Sequence, residues 1–329
     1  WAAGCSPTFA ALFWTGDHET SFCYAADSDK GWLIRDDAPA VEVYREGDRL
    51  VLWLNLVDRK STLTTARELE FAFQAGPTKA LPEGWRGIQD GGDPADAPLT
   101  IVQVGGSGNT MGGGTHFIHP GDTPEIRERT RAGLERSLAG GNKAVVGYCY
   151  WRHVPKGRPE TRVFRSEWGI DKATWESSTK PYTEWEWKNR FYGENKELYT
   201  FLYAAPVPSY SNYVTYSYDE ALKATPLSGF YDDVGYPLPV YDEELGLGFT
   251  REDGRKVASS GLWIYREHWK QCAYVNFLHN RPNFLRDSQH VRAHYMPAYN
   301  FIGIWAPCEH GYYNPFPDRD NLGFYGTVE

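Results

Sequence analysis

Alternating apolar and polar residues mark the first quarter of the chain as β-structure. Residues 41–45 alternate strictly, 46–48 form a turn, and 50–57 form a long apolar strand. A further alternating run covers residues 67–73. Because no amphipathic helical pattern interrupts these runs, the sequence predicts a small all-β, sandwich-like domain over residues 1–76, which would be the C-terminal part of such a domain.

A different pattern follows a segment rich in proline and glycine. That segment, residues 77–98, is predicted to be a linker. From residue 99 to 329, short apolar runs alternate with helical patterns, which indicates parallel βα units. The spacing favours a TIM-type (β/α) barrel over a doubly wound sheet. The predicted strands are 99–104, 143–150, 198–205, 228–233 and 291–296, and the predicted helices are 125–138, 218–225 and 259–279.

These strands are fewer than the eight of a complete barrel. Either the rest lie hidden in the irregular stretch 151–197, or the barrel is cut short at its C-terminal end. The chain also begins at Trp1, with no initiator methionine and no leader. We therefore expect a piece of a longer protein, and the missing leader says nothing about secretion. Separately, we expect the protein to be secreted or periplasmic, with a signal outside this sequence.

Composition narrows the class of partner. The chain contains 13 Trp, 22 Tyr and 16 Phe, and 34 Lys and Arg stand against 43 Asp and Glu, for a net charge of −9. An acidic chain argues against nucleic acid as the main partner, and no run of 18 apolar residues could span a membrane. Polar, stackable sugars suit an acidic surface rich in aromatic residues. The five cysteines lack CxxC spacing, so we expect no structural zinc, and buried thiols are favoured over a Cys5–Cys23 bridge.

The strongest candidate for catalysis is the segment Gly229-Phe-Tyr-Asp-Asp233. A buried-type strand here ends in two adjacent carboxylates, at the position where barrel enzymes carry their chemistry. Adjacent acids repel, so one of Asp232 and Asp233 is expected to have a raised pKa, as a general acid requires. The structural alternative is that Asp232 caps a turn and Asp233 is solvated.

Further candidates follow other predicted strands. Glu309 would be a second acid or a ligand for sugar hydroxyls, and its alternative is an ordinary salt bridge in a loop. The aromatic candidates would line a sugar-binding site, or they would instead pack against the top or the rim of the barrel without binding a ligand. The proposed substrate-binding residues are Tyr148, Trp151, Trp185, Trp187, Tyr231, Tyr236, His294, Trp305 and His310.

Other chemistries receive less support. The spacing of His116 and His119, with His290, His294 and His310 elsewhere, suggests a metal-dependent hydrolase, but no H-E-x-x-H motif occurs. The glycine-rich segment 105–114 lacks the lysine of a phosphate-binding loop, and no G-x-S-x-G motif supports a serine hydrolase. We therefore expect no resident metal and no cofactor.

Three segments together resemble the glycoside hydrolase family 123-like proteins and a related uncharacterised family. They are residues 27–32 in the β domain, residues 69–86 at the junction with the barrel, and the acidic strand end 229–233. In the junction, Gly76 and Ala80 stand where the family usually has threonine and proline. The order of the predicted domains resembles the family over most of the chain, but matching sequence motifs occur only in these short segments.

The resemblance implies a β-sandwich followed by a TIM barrel that hydrolyses glycosidic bonds with help from the substrate's 2-acetamido group. Asp232 would orient that group and Asp233 would protonate the leaving oxygen, although the family has glutamate at the acid position. The alternative pairs Asp232 or Asp233 with Glu309, and their separation would then decide retention or inversion. The competing hypothesis is a non-catalytic carbohydrate-binding protein or an inactive fragment of such an enzyme.

Overall fold

The computed structural model describes residues 12–16, 21–35, 37–58, 60–76, 88–90, 99–104, 123–139, 144–149, 152–180, 193–227, 229–232, 240–259, 261–281 and 284–287. Its first strands are β1 (Leu12–Gly16), β2 (Ser21–Ala25), β3 (Val41–Glu46), β4 (Arg49–Leu54) and β5 (Ala72–Gly76). Strands β1, β2 and β5 form an antiparallel sheet with β2 in the middle, and β3 pairs with β4 as a hairpin.

This N-terminal β unit, residues 12–76, has its own hydrophobic core. Tyr24, Trp32 and Ile34 are buried there, and Leu52 and Leu54 of the hairpin pack against them. The prediction for residues 41–45 is confirmed by β3, and the strand predicted at 50–57 is confirmed as β4, which ends three residues earlier at Leu54. The run predicted at 67–73 is displaced, because only its last two residues belong to β5. The all-β character is thus confirmed for the described residues, and a complete sandwich stays a prediction.

The remaining strands belong to three sheets. In chain order they are β6 (Ile88–Asp90), β7 (Leu99–Val104), β8 (Ala144–Cys149), β9 (His153–Pro155), β10 (Phe201–Tyr203), β11 (Gly229–Asp232), β12 (Phe249–Thr250), β13 (Lys256–Val257) and β14 (Phe284–Asp287). The helices are α1 (Pro124–Ala139), α2 (Pro159–Phe164), α3 (Lys172–Ser177), α4 (Pro208–Ala224) and α5 (Leu262–Leu278), with a 3₁₀ turn at Lys196–Tyr199.

A five-stranded parallel sheet is the central element. Its order is β6-β7-β8-β11-β14, so its strands lie side by side in the order in which the chain produces them. Helix α1 connects β7 to β8, α4 lies between β8 and β11, and α5 lies between β11 and β14. A doubly wound sheet reverses its strand order, whereas a barrel does not. The described strands therefore have barrel-type order, but they form an open sheet, and closure into a barrel stays a prediction.

The structure changes several predicted elements of this region. Strand β6 lies inside the predicted linker, so the parallel sheet begins before residue 99. The strand predicted at 198–205 is a 3₁₀ turn followed by β10, which pairs antiparallel with β9 outside the main sheet. The strand predicted at 291–296 lies outside the described residues, and β14 follows α5 instead.

Helix α4 is twice as long as the sequence predicts. Its first half, Pro-Ser-Tyr-Ser-Asn-Tyr-Val-Thr-Tyr, is poor in strong helix formers. Nevertheless Tyr210, Val214 and Tyr218 recur every four residues and are buried, so tertiary packing overrides the weak local propensity. The helices predicted at 125–138 and 259–279 are confirmed as α1 and, with a later start, α5.

The main core lies around α4. The ring of Trp168 packs edge-on against Tyr210 at 5.1 Å, and Leu202 and Leu222 are buried in the same cluster. Cys272 of α5 belongs to this cluster as a buried free thiol, in agreement with the prediction for the cysteines. In the described part of the chain, no helix is both long enough and apolar enough to cross a membrane.

Candidate functional site

Three neighbouring strands of the parallel sheet end in register. Cys149 of β8 pairs with Asp232 of β11, and Asp232 pairs in turn with Asp287 of β14. Neighbouring strands lie about 4.8 Å apart, so the backbones of the two aspartates are close neighbours at the carboxyl edge of the sheet. This edge is where parallel α/β proteins place their ligands. We refer to Cys149, Asp232 and Asp287 as the carboxyl edge.

The two aspartate-bearing strands are aligned by the ends of the helices that precede them. Arg281, just after α5, donates from its guanidinium to the carbonyl oxygens of Leu222 (3.4 Å) and Thr225 (3.1 Å) at the end of α4. Deeper between the helices, the hydroxyl of Tyr218 donates to Asn276 Oδ1 at 2.5 Å. Strands β11 and β14 start a few residues after these connected helix ends and pair in parallel from Gly229 with Phe284 to Asp232 with Asp287.

A charged contact completes this helix pairing. Asp219 of α4 lies 2.6 Å from the Nε2 atom of His279 and 2.7 Å from the ammonium group of Lys223. Burial raises the pKa of Asp219, but the hydrogen bonds from His279 and Lys223 outweigh burial, so the pKa of this carboxyl lies below its usual range. The ionised carboxylate therefore helps to hold the two helices together.

Two histidines that do not belong to the carboxyl edge are buried. Burial, reinforced by the charge of Arg152, lowers the pKa of His153 in β9 to about 3. Burial alone lowers the pKa of His268 in α5 to about 3. Both imidazoles are neutral at pH 7, and the ring of His153 packs edge-on against Tyr203 at 4.3 Å. These histidines were not among the predicted site residues, and their burial fits a structural role.

The structure brings together three of the predicted site residues. Tyr148 of β8 and Tyr231 of β11 are paired one position before the edge, and Asp232 ends its strand as predicted. The other candidates lie outside the described residues and stay predictions: Asp233, Glu309, Trp151, Trp185, Trp187, Tyr236, His294, Trp305 and His310.

Asp287 is a candidate that the sequence analysis missed. It ends the short strand Phe-Leu-Arg-Asp directly after a long helix, just as Asp232 ends Gly-Phe-Tyr-Asp after α4. The sequence therefore contained a signal for Asp287, because a helix followed by two apolar residues and a terminal aspartate occurs at both strands. A strand of four residues with only two apolar positions is too weak to stand out by alternation alone.

A metal centre receives no support from the described residues. Within them, no three histidine, cysteine, aspartate or glutamate side chains are grouped so as to hold a metal ion. The predicted histidine candidates His116, His119 and His290 lie outside the described residues.

Comparisons with known proteins leave the family open. No family model and no curated protein matches the sequence. Among solved structures, the chain is similar to TtGalA, an alpha-galactosidase from Thermus thermophilus in complex with p-nitrophenyl alpha-D-galactopyranoside, with 12% sequence identity and a TM-score of 0.35. The match covers 83% of this chain and 50% of the galactosidase chain, so this chain spans about half the length of that protein. That neighbour is a glycosidase, but a likeness this distant carries no argument about fold or activity, and the resemblance to family 123-like proteins is not confirmed.

Proposed function

We propose that the chain is a glycoside hydrolase whose catalytic carboxylates lie at the carboxyl edge. The observation that carries the proposal is the pairing of Asp232 with Asp287 at the ends of neighbouring parallel strands. Glycoside hydrolysis ordinarily requires two carboxyl groups that flank the scissile bond, one to protonate the leaving oxygen and one to stabilise or attack the sugar carbon. We assign these two roles to Asp232 and Asp287 because their strands end side by side in the parallel sheet.

The separation of the two carboxyl groups would decide the stereochemical class, about 5–5.5 Å in retaining enzymes and about 6.5–9.5 Å in inverting enzymes. We propose the retaining course, in which the second carboxylate is the nucleophile. In the proposed reaction one carboxylic acid gives its proton to the leaving oxygen while the second carboxylate bonds to the sugar carbon, and the glycosidic bond breaks. Water then displaces the second carboxylate from the sugar carbon and gives a proton to the first carboxylate, which restores both groups.

Two assignments of the acid and its partner are compatible with this placement. The family resemblance gives Asp232 as the residue that orients a substrate 2-acetamido group and Asp233 as the acid. Sheet register offers Asp287 as the partner of Asp232 instead. The paired tyrosines Tyr148 and Tyr231, one position earlier, are proposed to bind the sugar, together with the other predicted aromatic residues. The proposed substrate is an oligo- or polysaccharide, and the proposed location is secreted or periplasmic.

The test is hydrolysis of a panel of p-nitrophenyl glycosides, including α-galactoside and N-acetyl-β-hexosaminides, by the wild type and by Asp232→Asn and Asp287→Asn. Each variant should lose on the order of 10²- to 10⁴-fold in kcat, because the amide can neither donate a proton nor carry the negative charge. Asp37→Asn is the matched control, since Asp37 is an exposed aspartate of the N-terminal β unit.

The panel also separates the competing assignments. Loss of activity in Asp232→Asn but not in Asp287→Asn would favour Asp233 or Glu309 as the partner of Asp232. Full activity in Asp232→Asn would overturn the proposal. Glycan binding without turnover by the wild type would also overturn it, in favour of a carbohydrate-binding protein.

A further inference from the structure

A cavity of about 360 Å³ lies between the N-terminal β unit and the segments around the first turns of α4 and α5. This volume lies within the range of pockets that bind small molecules, and contacts between structural units are preferred places for such pockets. The described residues that line the cavity are distant in sequence and belong to the N-terminal β unit, to residues 206–208, to residues 245–259 and to the start of α5. We call it the inter-unit cleft.

Specific polar contacts fix the two walls of the inter-unit cleft. The hydroxyl of Ser259 donates to Asp27 Oδ2 at 2.7 Å and accepts from the backbone N–H of Gly261 at 3.0 Å. Nearby, the guanidinium of Arg251 forms an ion pair with Asp29, whose side chain is only 3% exposed. A buried ion pair and a hydrogen-bonded carboxylate hold the N-terminal β unit against residues 251–261, so the cleft has defined walls.

One wall of the inter-unit cleft is charged. Leu69 packs into the core of the N-terminal β unit, and Glu68 and Glu70 alternate with it on the opposite side of this extended segment. Lys30 lines the same wall. Within the described residues, the side chains of Glu68, Glu70 and Lys30 are exposed and engage in no hydrogen bond or ion pair.

The opposite wall is apolar and partly aromatic. It is formed by Val207 and Leu247, which are buried, and by Phe249, Trp263 and Ile264, which are half-buried. The tryptophan and phenylalanine provide ring surface for an apolar body and for a cation. A ligand that fits both walls must therefore have one apolar side and one polar end.

The charged residues that line the cleft determine whether the polar end of the ligand should be positive or negative. The Asp27 carboxylate already accepts a hydrogen bond from the Ser259 hydroxyl and is therefore engaged within the protein. Glu68 and Glu70 then oppose a single ammonium group, Lys30, which leaves one negative charge unmatched. A cavity wall with excess negative charge attracts cations. The described residues hold no cluster suited to a metal ion, so an organic cation fits better than a divalent metal.

We propose that the inter-unit cleft binds a small organic monocation, a primary ammonium attached to a ring or short alkyl body. The ammonium would lie between Glu68 and Glu70, and the apolar body would pack on Phe249 and Trp263. This site is separate from the carboxyl edge, so the proposal does not depend on the glycosidase activity.

The experiment is isothermal titration calorimetry with benzylamine and with its neutral counterpart benzyl alcohol. Benzylamine should bind the wild type about tenfold more tightly than benzyl alcohol, and raising the salt concentration should weaken only the amine. The double variant Glu68→Gln/Glu70→Gln should lose about that tenfold preference. The matched control is Glu135→Gln/Glu194→Gln, which removes the same charge at two exposed sites that do not line the cleft.

Each contrary outcome has a distinct meaning. Equal affinity for benzylamine and benzyl alcohol would overturn the charge assignment. Equal loss in the cleft variant and the control would show that only net charge matters, which also overturns the site. Tighter binding of a neutral methyl glycoside than of benzylamine would replace the cation by a sugar. Hydrolysis of glycosides should be unchanged in the cleft variant, so failure of this proposal leaves the glycosidase test intact.

Discussion

The carboxyl edge and the inter-unit cleft both contain acidic residues, but the two regions are built differently. At the edge, Asp232 and Asp287 occupy the last positions of neighbouring strands that share one hydrogen-bonded register. At the cleft, Glu68 and Glu70 lie on an extended segment of the N-terminal β unit, opposite an apolar wall formed by residues about 180 positions later. The edge is therefore a property of one sheet, whereas the cleft exists only while two units remain in contact.

This difference predicts that the two regions can be disturbed separately. A change at the contact between units should abolish amine binding at the cleft and leave catalysis at the edge. A change in a helix that serves both regions should affect both. The three predictions below test this separation, beginning with the largest effect.

The largest effect is expected from Arg251→Met. This variant leaves the buried carboxylate of Asp29 without its guanidinium partner. Removal of one member of a buried ion pair costs about 3 kcal/mol or more of the free energy of unfolding, because a desolvated charge remains. Urea denaturation should show this loss, and calorimetry should show weaker benzylamine binding, while glycoside hydrolysis persists under conditions where the protein stays folded.

Arg255→Met is the matched control for that variant. Arg255 pairs with Asp253 within one turn, and both side chains are about half exposed. Exposed pairs contribute about 0–1 kcal/mol, so the control should be nearly neutral in both measurements. Equal destabilisation by the two variants would contradict the structural role assigned to the Arg251–Asp29 pair.

The same contrast explains which features could be predicted from sequence. The end of a strand is a local property, and the acidic end at Asp232 was visible in the run Gly-Phe-Tyr-Asp. The partner Asp287 requires the register between β11 and β14, which is set by contacts such as those of Arg281 with the end of α4. The cleft depends on contacts between Asp27 and Ser259, separated by 232 positions, which no local pattern reveals.

Secondary structure follows the same rule. Helix α1 was predicted almost to the residue because proline, an acidic first turn and a good helical pattern coincide in its own sequence. The first half of α4 was missed because its tyrosines and serines favour other conformations until Trp168 and the neighbouring core residues bury one face. Local signals thus predicted the elements they determine, and tertiary packing determined the rest.

A smaller effect is expected from Gly31→Ala in the charged wall of the cleft. Gly31 has φ +85°, and an added Cβ atom would meet the carbonyl oxygen of Glu68 at 2.1 Å. The backbone of residue 68 would have to move, which should reduce stability by about 2 kcal/mol and displace the carboxylate wall. The expected readouts are a lower free energy of unfolding and weaker benzylamine binding, without a change in glycoside hydrolysis.

Gly47→Ala separates the two causes of that effect. Gly47 also has a positive φ, +60°, but nothing lies within 4 Å of an added Cβ atom. This control should therefore show only the backbone strain, about 1 kcal/mol, with unchanged amine binding. If the two alanine variants behave alike, the close approach of Gly31 to Glu68 has no role in shaping the cleft.

The smallest effect concerns α5, the element that the two regions share. Its first turn lines the cleft with Trp263 and Ile264, and its C-terminal end leads into β14 of the carboxyl edge. Burial lowers the pKa of His268, in the middle of this helix, from 6.5 to about 3. The native state thus excludes a proton that the unfolded chain accepts below pH 6.5.

The sign of the resulting pH dependence follows directly. Above pH 6.5 neither the native nor the unfolded state binds the proton, so His268 does not reduce the stability. Between pH 6.5 and about 3 the unfolded state binds the proton and the native state does not, so the free energy of unfolding falls. At pH 5.5 His268 should therefore cost about 1.4 kcal/mol relative to neutral pH. In His268→Leu, the loss of unfolding free energy between pH 7.5 and 5.5, measured with urea, should be smaller than in the wild type by about this amount. His153, whose pKa burial lowers to about 3 as well, should contribute to the loss that remains. An identical pH dependence in the wild type and His268→Leu would show that protonation of His268 does not cause the loss of stability in acid.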